Sequence, residues 1–218
     1  MIIAIDGPAG SGKSTVARLL AKRLGFTYID TGAMYRAITL KTINNKIDVN
    51  DSSSVIDIAK NTKIDLINDS DNGIKVIMDG FDVSLQIRQP EITKIVSVIS
   101  KIPKVRSIML TLQRALGERN DSVLEGRDIG TVVFPNAERK FYLDASFDER
   151  VNRRFKEMRS SNLNISKKEV ALDLQNRDKI DSTREIAPLK KADDAILIDT
   201  TDLTIEQVVD KLHKLSHP

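Results

Sequence analysis

The chain has no cysteine and no tryptophan, only two histidines, and 4% aromatic residues. Without cysteine there is no disulfide, thiolate nucleophile, zinc ribbon or iron–sulfur ligand set. Both histidines, His213 and His217, fall in the last six residues, which argues against a Ser-His-Asp triad or a histidine-based metal centre. Scarce aromatics leave little for a base-stacking platform. No run of 18 apolar residues occurs, so no membrane span is expected. The opening Met-Ile-Ile-Ala-Ile-Asp-Gly has no basic segment or cleavage site, so the expected compartment is the cytoplasm. The chemistry left open uses carboxylates, Lys, Arg, hydroxyls, backbone N–H groups and a hard cation held by oxygen.

The sequence has 218 residues, with 34 Lys+Arg against 31 Asp+Glu and a net charge of +3. This slight basic excess suits small anionic ligands but is too small for a nucleic-acid coat. The expected form is a monomer with no nucleic-acid or membrane partner. Residues 1–218 are long enough to bury a core and are expected to form one domain.

Residues 2–5 are a continuous apolar run, the pattern of a strand covered on both faces. A glycine-rich segment follows, then a helical pattern over 14–21 that stops at Gly25. Residues 26–29 read as a second strand and 34–42 as a second helix, an order that argues for βαβ units and a parallel sheet. Runs at 62–68 and 74–79 flank the turn signal Asp69-Ser70-Asp71-Asn72-Gly73, and so predict an antiparallel hairpin. The insert that carries it spans about 60–87. Helices are expected at 90–101, with Pro90 at its first position, and at 103–119. Strands at 122–125 and 140–144 follow, then helices at 147–159 and 166–179, the latter opened by a Ser166-x-x-Glu169 capping box. A strand at 195–199 and a helix to Leu215, capped by Thr204-x-x-Gln207, end the chain. The expected fold is a three-layer α/β fold with a five-stranded parallel sheet and a small antiparallel insert.

Gly7-Pro8-Ala9-Gly10-Ser11-Gly12-Lys13-Ser14, followed by Thr15, matches G-x-x-x-x-G-K-[ST]. The glycines let consecutive backbone N–H groups converge on phosphate oxygens, and the next helix adds its positive end. Lys13 is placed to bridge the β- and γ-phosphates, and the Ser14 hydroxyl to ligate Mg²⁺. Because the match lies between a buried strand and a helix, a nucleoside triphosphate is the expected ligand.

Three kinds of phosphate-loop protein compete. Asn45-Lys46-Ile47-Asp48 has the guanine-reading pattern of a GTPase, but lies too early in the chain and reads as a helix stop and turn. An ATP-driven motor would need partner motifs for which there is no room. A small kinase needs a phosphoryl acceptor beside the loop, and two segments at strand ends offer one: Asp30-Thr31-Gly32-Ala33-Met34-Tyr35-Arg36 and Glu125-Gly126-Arg127-Asp128-Ile129-Gly130-Thr131. Arg36 and Arg127 could fork onto one monophosphate. Arg150, Arg153 and Arg154 share a helical face by their i, i+3, i+4 spacing, read either as a solvated basic face or as a clamp. A kinase acting on UMP or AMP, and a regulatory or RNA-associated protein using ATP as a switch, remain the alternatives.

With these segments in place, the chain resembles the bacterial cytidylate kinases. The likeness rests on residues 7–14, 30–36 and 125–135, on Phe-Tyr-Leu-Asp-Ala-Ser at 141–146, on Arg-Asp-x-x-Asp-Ser-x-Arg at 177–184 and on Ala-Pro-Leu at 187–189. A phosphate loop alone is unspecific, whereas the joint set is highly specific. The resemblance implies a nucleoside-monophosphate kinase core and a helical arginine-bearing lid at about 148–165. It implies transfer from ATP to CMP or dCMP, with Mg²⁺. It puts Thr31, Arg36 and Arg127 around the CMP phosphate, and Ser97, Arg106 and Asp128 at the cytosine. Arg177 and Asp181 fall at the ribose and Arg184 near the phosphates. Lys13, Arg127, Arg150 and Arg154 would carry transition-state charge. Ser14 would hold the metal directly, with Asp30 and Glu125 acting through water. The loop after Asp199 lies at a strand end suited to the adenine.

Overall fold

Five short apolar runs make the parallel sheet in the computed structural model, which describes residues 1–69, 73–160 and 165–216. They are β1 (Ile2–Asp6), β2 (Thr27–Asp30), β6 (Ser122–Gly126), β7 (Arg139–Asp144) and β8 (Ile196–Asp199), and the order across the sheet is β2-β6-β1-β7-β8. Every neighbouring pair is parallel, as the covered-on-both-faces runs imply. The period of two sorts the side chains. Ile3 and Ile5 point into one core with Phe141 and Leu143, while Ala4 between them joins the other with Ile29 and Leu124. Helices α1 (Lys13–Leu24) and α8 (Ile205–Ser216) close the first face, and α2 (Thr31–Asn44), α4 (Pro90–Ser100) and α5 (Pro103–Gly117) the second.

The antiparallel insert has three strands, not two: β3 (Ile64–Asp69), β4 (Gly73–Met78) and the added β5 (Phe81–Asp82). Asp79 and Gly80, both at positive φ, turn the chain between the last two. The centre of the expected turn, residues 70–72, lies outside the described residues, as do 161–164 of the expected lid and His217. Helix α3 (Ser52–Lys60) has no counterpart in the sequence reading. Its nine residues open on three serines, weak helix formers, and the Asp51 side chain secures it by accepting from the Ser53 and Ser54 N–H groups. Asn45 closes α2, and Lys46 turns the chain with a φ of 55°, so the early Asn-Lys-x-Asp is a helix stop.

Helices α6 (Phe147–Ser160) and α7 (Lys167–Thr183) pair around a small core of Ala9, Val151, Met158, Val170 and Leu174. Ala9 belongs to the phosphate loop, so the loop and this helix pair share apolar contacts. The capping box of Ser166 and Glu169 forms, and Thr204 and Gln207 bond reciprocally at 2.9 and 3.2 Å. Helix α7 runs past the expected stop at 179 and takes Asp181 into its last turn. Among the described residues no helix is long and apolar enough to cross a membrane.

Parallel register lines up the strand ends that matter. Ile5 is level with Glu125, Asp6 with Gly126 and Asp30 with Glu125, so the loops after β1, β2 and β6 leave one edge together, where ligands bind in such sheets. After β6 the backbone makes a wide turn over Ile129–Val133, with Val133 N donating to the Asp128 carbonyl at 3.1 Å and Phe134 N to the Ile129 carbonyl at 2.7 Å. The buried Asp6 carboxyl holds this turn by accepting from Ile129 N at 2.8 Å and Gly130 N at 2.7 Å.

Burial raises the Asp6 pKa to about 7, against the pull of those two N–H groups. In the unfolded chain the same carboxyl ionises near pH 4. Between those values the folded protein holds the extra proton, so stability from this group falls as pH rises, by roughly 4 kcal/mol across the window. Asp6→Asn has no such slope. Urea titrations at pH 4.5 and 8.5 should therefore show the wild type losing stability relative to Asp6→Asn at the higher pH; parallel profiles would contradict the shift.

Candidate active site

The aligned loops open into a cleft of about 680 Å³ that reaches from the phosphate loop to the ends of α4, α5 and α7. The loop is made by backbone that only glycine tolerates at its entry and exit. A Cβ on Gly7 would stand 2.0 Å from the Leu143 carbonyl oxygen, and Gly12 begins α1 with a φ of 87°. Ala9 to Thr15 line the cleft, while Gly7 and Pro8 support it from behind. Lys13 folds back over the loop and donates to the Pro8 carbonyl at 2.7 Å, with Ser11 Oγ at 3.4 Å. Burial first, and the nearby Arg127 second, pull its ammonium down to about 7.

Ser14, next in sequence, donates to Glu125 Oε1 at 2.5 Å. Burial, with Asp30 adding repulsion, raises the pKa of the Glu125 carboxyl. Asp30 caps α2 through Ala33 N at 2.8 Å and accepts from Arg36 Nη2 at 2.8 Å. Thr31 donates to the Glu125 carbonyl at 2.7 Å, which binds the start of α2 to the end of β6.

Opposite the phosphate loop lies an arginine-lined lobe. The buried Arg106 pairs with Asp128, donates to the Ser100 carbonyl at 3.1 Å, and lies over the Tyr35 ring at 5.6 Å. Arg184 lines the cleft, reaches Asp128 at 3.4 Å and donates to the Ala187 carbonyl at 2.6 Å. Arg127 donates to Asp181 at 2.9 Å. Burial opposes its charge, but Asp181 and Glu125 outweigh that and raise its pKa. Ser97, on α4, lines the same lobe.

Among the described residues, three buried guanidinium N–H groups have no hydrogen-bond partner: the Nε atoms of Arg36, Arg154 and Arg177. Burial lowers the Arg177 pKa to about 10, helped by the charges of Arg127 and Arg154. Unmet donors of one sign around one cavity suit an incoming anion, because leaving them unmet is costly.

Arg150, Arg153 and Arg154 do not act as one face. Arg150 is turned away from the cleft, where Asp178, the Ala9 carbonyl at 3.1 Å and the Ala145 carbonyl at 3.2 Å hold it. Its spacing is right, but a loop carbonyl and an acid on α7 take its donors. Arg153 lines the cleft, bonded to Thr200 Oγ1 at 3.0 Å and the Thr200 carbonyl at 2.5 Å. Arg154 also lines it, paired with Glu157 at 2.8 Å.

Other lining residues escaped sequence reasoning. Arg88 comes from a short 3-10 turn, Gln86–Arg88, before α4, and nothing local distinguishes it from a surface charge. Thr200, Thr201, Leu203 and Thr204 line the end nearest the phosphate loop; the strand-end rule that marked the loop after Asp199 was the available signal. Asp6 was also missed, although an acid in an otherwise apolar strand is itself a signal.

The comparisons agree with this geometry. A family model described as cytidylate kinase matches residues 3–217. A cytidylate kinase of Caldanaerobacter subterraneus is 50% identical over 212 residues, 97% of this chain and 92% of its own. One from Geobacillus is 51% identical over 217 residues, 98% of this chain and 95% of its own. Among solved structures, a shikimate kinase from Bacteroides thetaiotaomicron has a TM-score of 0.52 across 100% of this chain and 99% of its own, at 12% identity. At that identity the likeness speaks for the fold alone.

Proposed function

Because the chain belongs to the cytidylate kinase family, we propose that its cleft transfers the γ-phosphoryl group of ATP to CMP or dCMP, giving ADP and CDP or dCDP. The observation that carries this reading is one cleft in which the phosphate loop faces the Arg106–Asp128 pair across three partnerless guanidinium N–H groups. The first feature suits a triphosphate, the second a base with a donor beside an acceptor, and the third the phosphates between them at Arg36 and Arg154 and the sugar at Arg177.

The backbone N–H groups of the phosphate loop bind the triphosphate, and Lys13 exchanges the Pro8 carbonyl for β- and γ-phosphate oxygens. Ser14, Glu125 and Asp30 offer hard oxygen donors in the right place for Mg²⁺, with the hydroxyl and one carboxylate already in contact. Among the described residues no group of three acidic or histidine side chains could hold a metal by itself, which suits an ion that keeps water and phosphate ligands. When bound, Mg²⁺ neutralises charge on the β- and γ-oxygens. Ser14 would ligate it directly, and Glu125 and Asp30 through water.

On the acceptor side, Thr31, Arg36 and Arg127 hold the CMP phosphate, and Arg177 and Asp181 the sugar. Binding exchanges partners: Arg127 leaves Asp181 for phosphate, and Asp181 becomes free to accept from ribose hydroxyls. An oxygen of the CMP phosphate attacks the γ-phosphorus, the bond to the β,γ-bridging oxygen breaks, and ADP leaves. A phosphate oxygen needs no general base, in keeping with a cleft that no histidine lines among the described residues. Lys13, Arg127 and Arg154 offset the charge of the transferring group. Arg150 contributes by bracing the loop. Enclosure between the loop and the lid helices keeps water from competing as acceptor.

Cytosine presents an amine donor beside two acceptors, whereas uracil presents an acceptor and an N–H. The Asp128 carboxylate accepts from the cytosine amine, Arg106 donates to its acceptors, and Ser97 completes the site. UMP would set acceptor against acceptor and donor against donor.

ADP release measured across CMP, dCMP, UMP, AMP and GMP should be highest for CMP and dCMP; a preference for UMP or AMP would move the protein to another acceptor class. Lys13→Ala should lower turnover by at least about 10³-fold with thermal stability unchanged or raised, since the lysine is buried against its charge. Near-normal turnover would overturn the role of the loop. Asp128→Asn keeps the shape but adds a donor. It should reduce kcat/KM for CMP by roughly 10- to 100-fold, and for UMP by less or not at all. Equal losses for both would remove Asp128 from base reading.

A further inference from the structure

The strand that leads into the phosphate loop is apolar until its last residue, where a carboxyl lies 4% exposed. A buried acid at such a place is costly unless its oxygens are used. Both are used, and by one short piece of backbone: the N–H groups of Ile129 and Gly130, at 2.8 and 2.7 Å. These two residues directly follow Asp128, whose side chain is shared by Arg106 and Arg184.

We infer that Asp6 is a positioning residue for the base-reading loop, and that by fixing Ile129–Gly130 it sets the preference for cytosine over uracil. The inference rests on the kinase reading above and adds a residue to it. Asp6 does not line the cleft, so it acts through the loop and not by touching substrate. The far end of this wide turn is fixed by Arg114, which donates to the Val132 and Val133 carbonyls at 2.9 and 2.8 Å, whereas Asp6 holds the end next to Asp128. A loop released from Asp6 shifts the Asp128 carboxylate relative to Arg106, and donor–acceptor recognition tolerates only about 0.5 Å of such error. The same residue precedes the phosphate loop, so a carboxyl rooted in the ATP side of the cleft fixes the geometry of the CMP side.

Asp6→Asn separates positioning from mere support, because the amide can accept from one N–H but turns a donor toward the other. Steady-state kinetics at pH 8 should be measured with CMP and UMP at saturating ATP, and with ATP at saturating CMP. We expect the CMP KM to rise about tenfold and the CMP:UMP ratio of kcat/KM to fall at least about fivefold, with kcat and the ATP KM within about twofold. An unchanged CMP:UMP ratio, whatever the loss of stability, would overturn the inference. So would an ATP KM that rises in step with that for CMP. If Asp6→Asn does not fold, Asp6→Ser, smaller and able to accept from only one of the two N–H groups, breaks the same contact and carries the same two outcomes. A wild-type enzyme without preference for CMP over UMP would overturn the underlying functional reading instead, and is recognised before any variant is made.

Discussion

A guanidinium keeps its proton at any physiological pH, so an arginine taken into a cleft has to be met by an anion. That constraint organises this molecule. Arg106 is met by Asp128, Arg127 by Asp181, Arg36 by Asp30 and Arg154 by Glu157. The carboxylates stabilise the open cleft and also define what can displace them. A phosphate can take over an arginine, and the released carboxylate can then accept from hydroxyl or amine groups of the same ligand. Among the described residues, N–H groups are left over on Arg36, Arg154 and Arg177, and oxygens of an incoming ligand can meet them.

The sheet makes this arrangement possible by register. Strands β1, β2 and β6 end level with one another, which brings Lys13, Asp30 and Arg127 to one edge from three separate stretches of chain. Their spacing is then held by strong hydrogen bonds to or from charged groups, such as Asp6 on the turn after β6 and Asp30 on the first turn of α2. Helices α6 and α7 are tied to the same edge by Arg150, which spends its donors on the phosphate loop and α7. One arginine thus serves architecture so that its neighbours on the helix can face the cleft.

Much of this was legible in the residues alone, because the signals were local. The phosphate loop is a run of glycines whose conformations only glycine adopts easily. The strands are unbroken apolar runs, the helices are opened by capping residues and prolines, and the early Asn-Lys-x-Asp stops a helix as its position suggests. What escaped notice was weak or non-local. Helix α3 is nine residues long and begins with serines. Strand β5 has two residues, too few for an alternating pattern to register. Asp181 was read past a helix end that proved to lie two residues beyond it.

The sequence by itself determined the architecture, the nucleotide loop and the list of charged residues around it, since φ/ψ preference, periodicity and capping act over a few residues. Only the tertiary structure decided which charge meets which. Arg127 and Asp181 are 54 positions apart, Asp6 and Gly130 are 124 apart, and Ser14 and Glu125 are 111 apart. No local preference encodes such pairings. They follow from strand order and register, and it was those that turned Arg150 inward to the loop, brought Arg184 to Asp128, and placed an acid of the first strand behind the loop that carries Asp128.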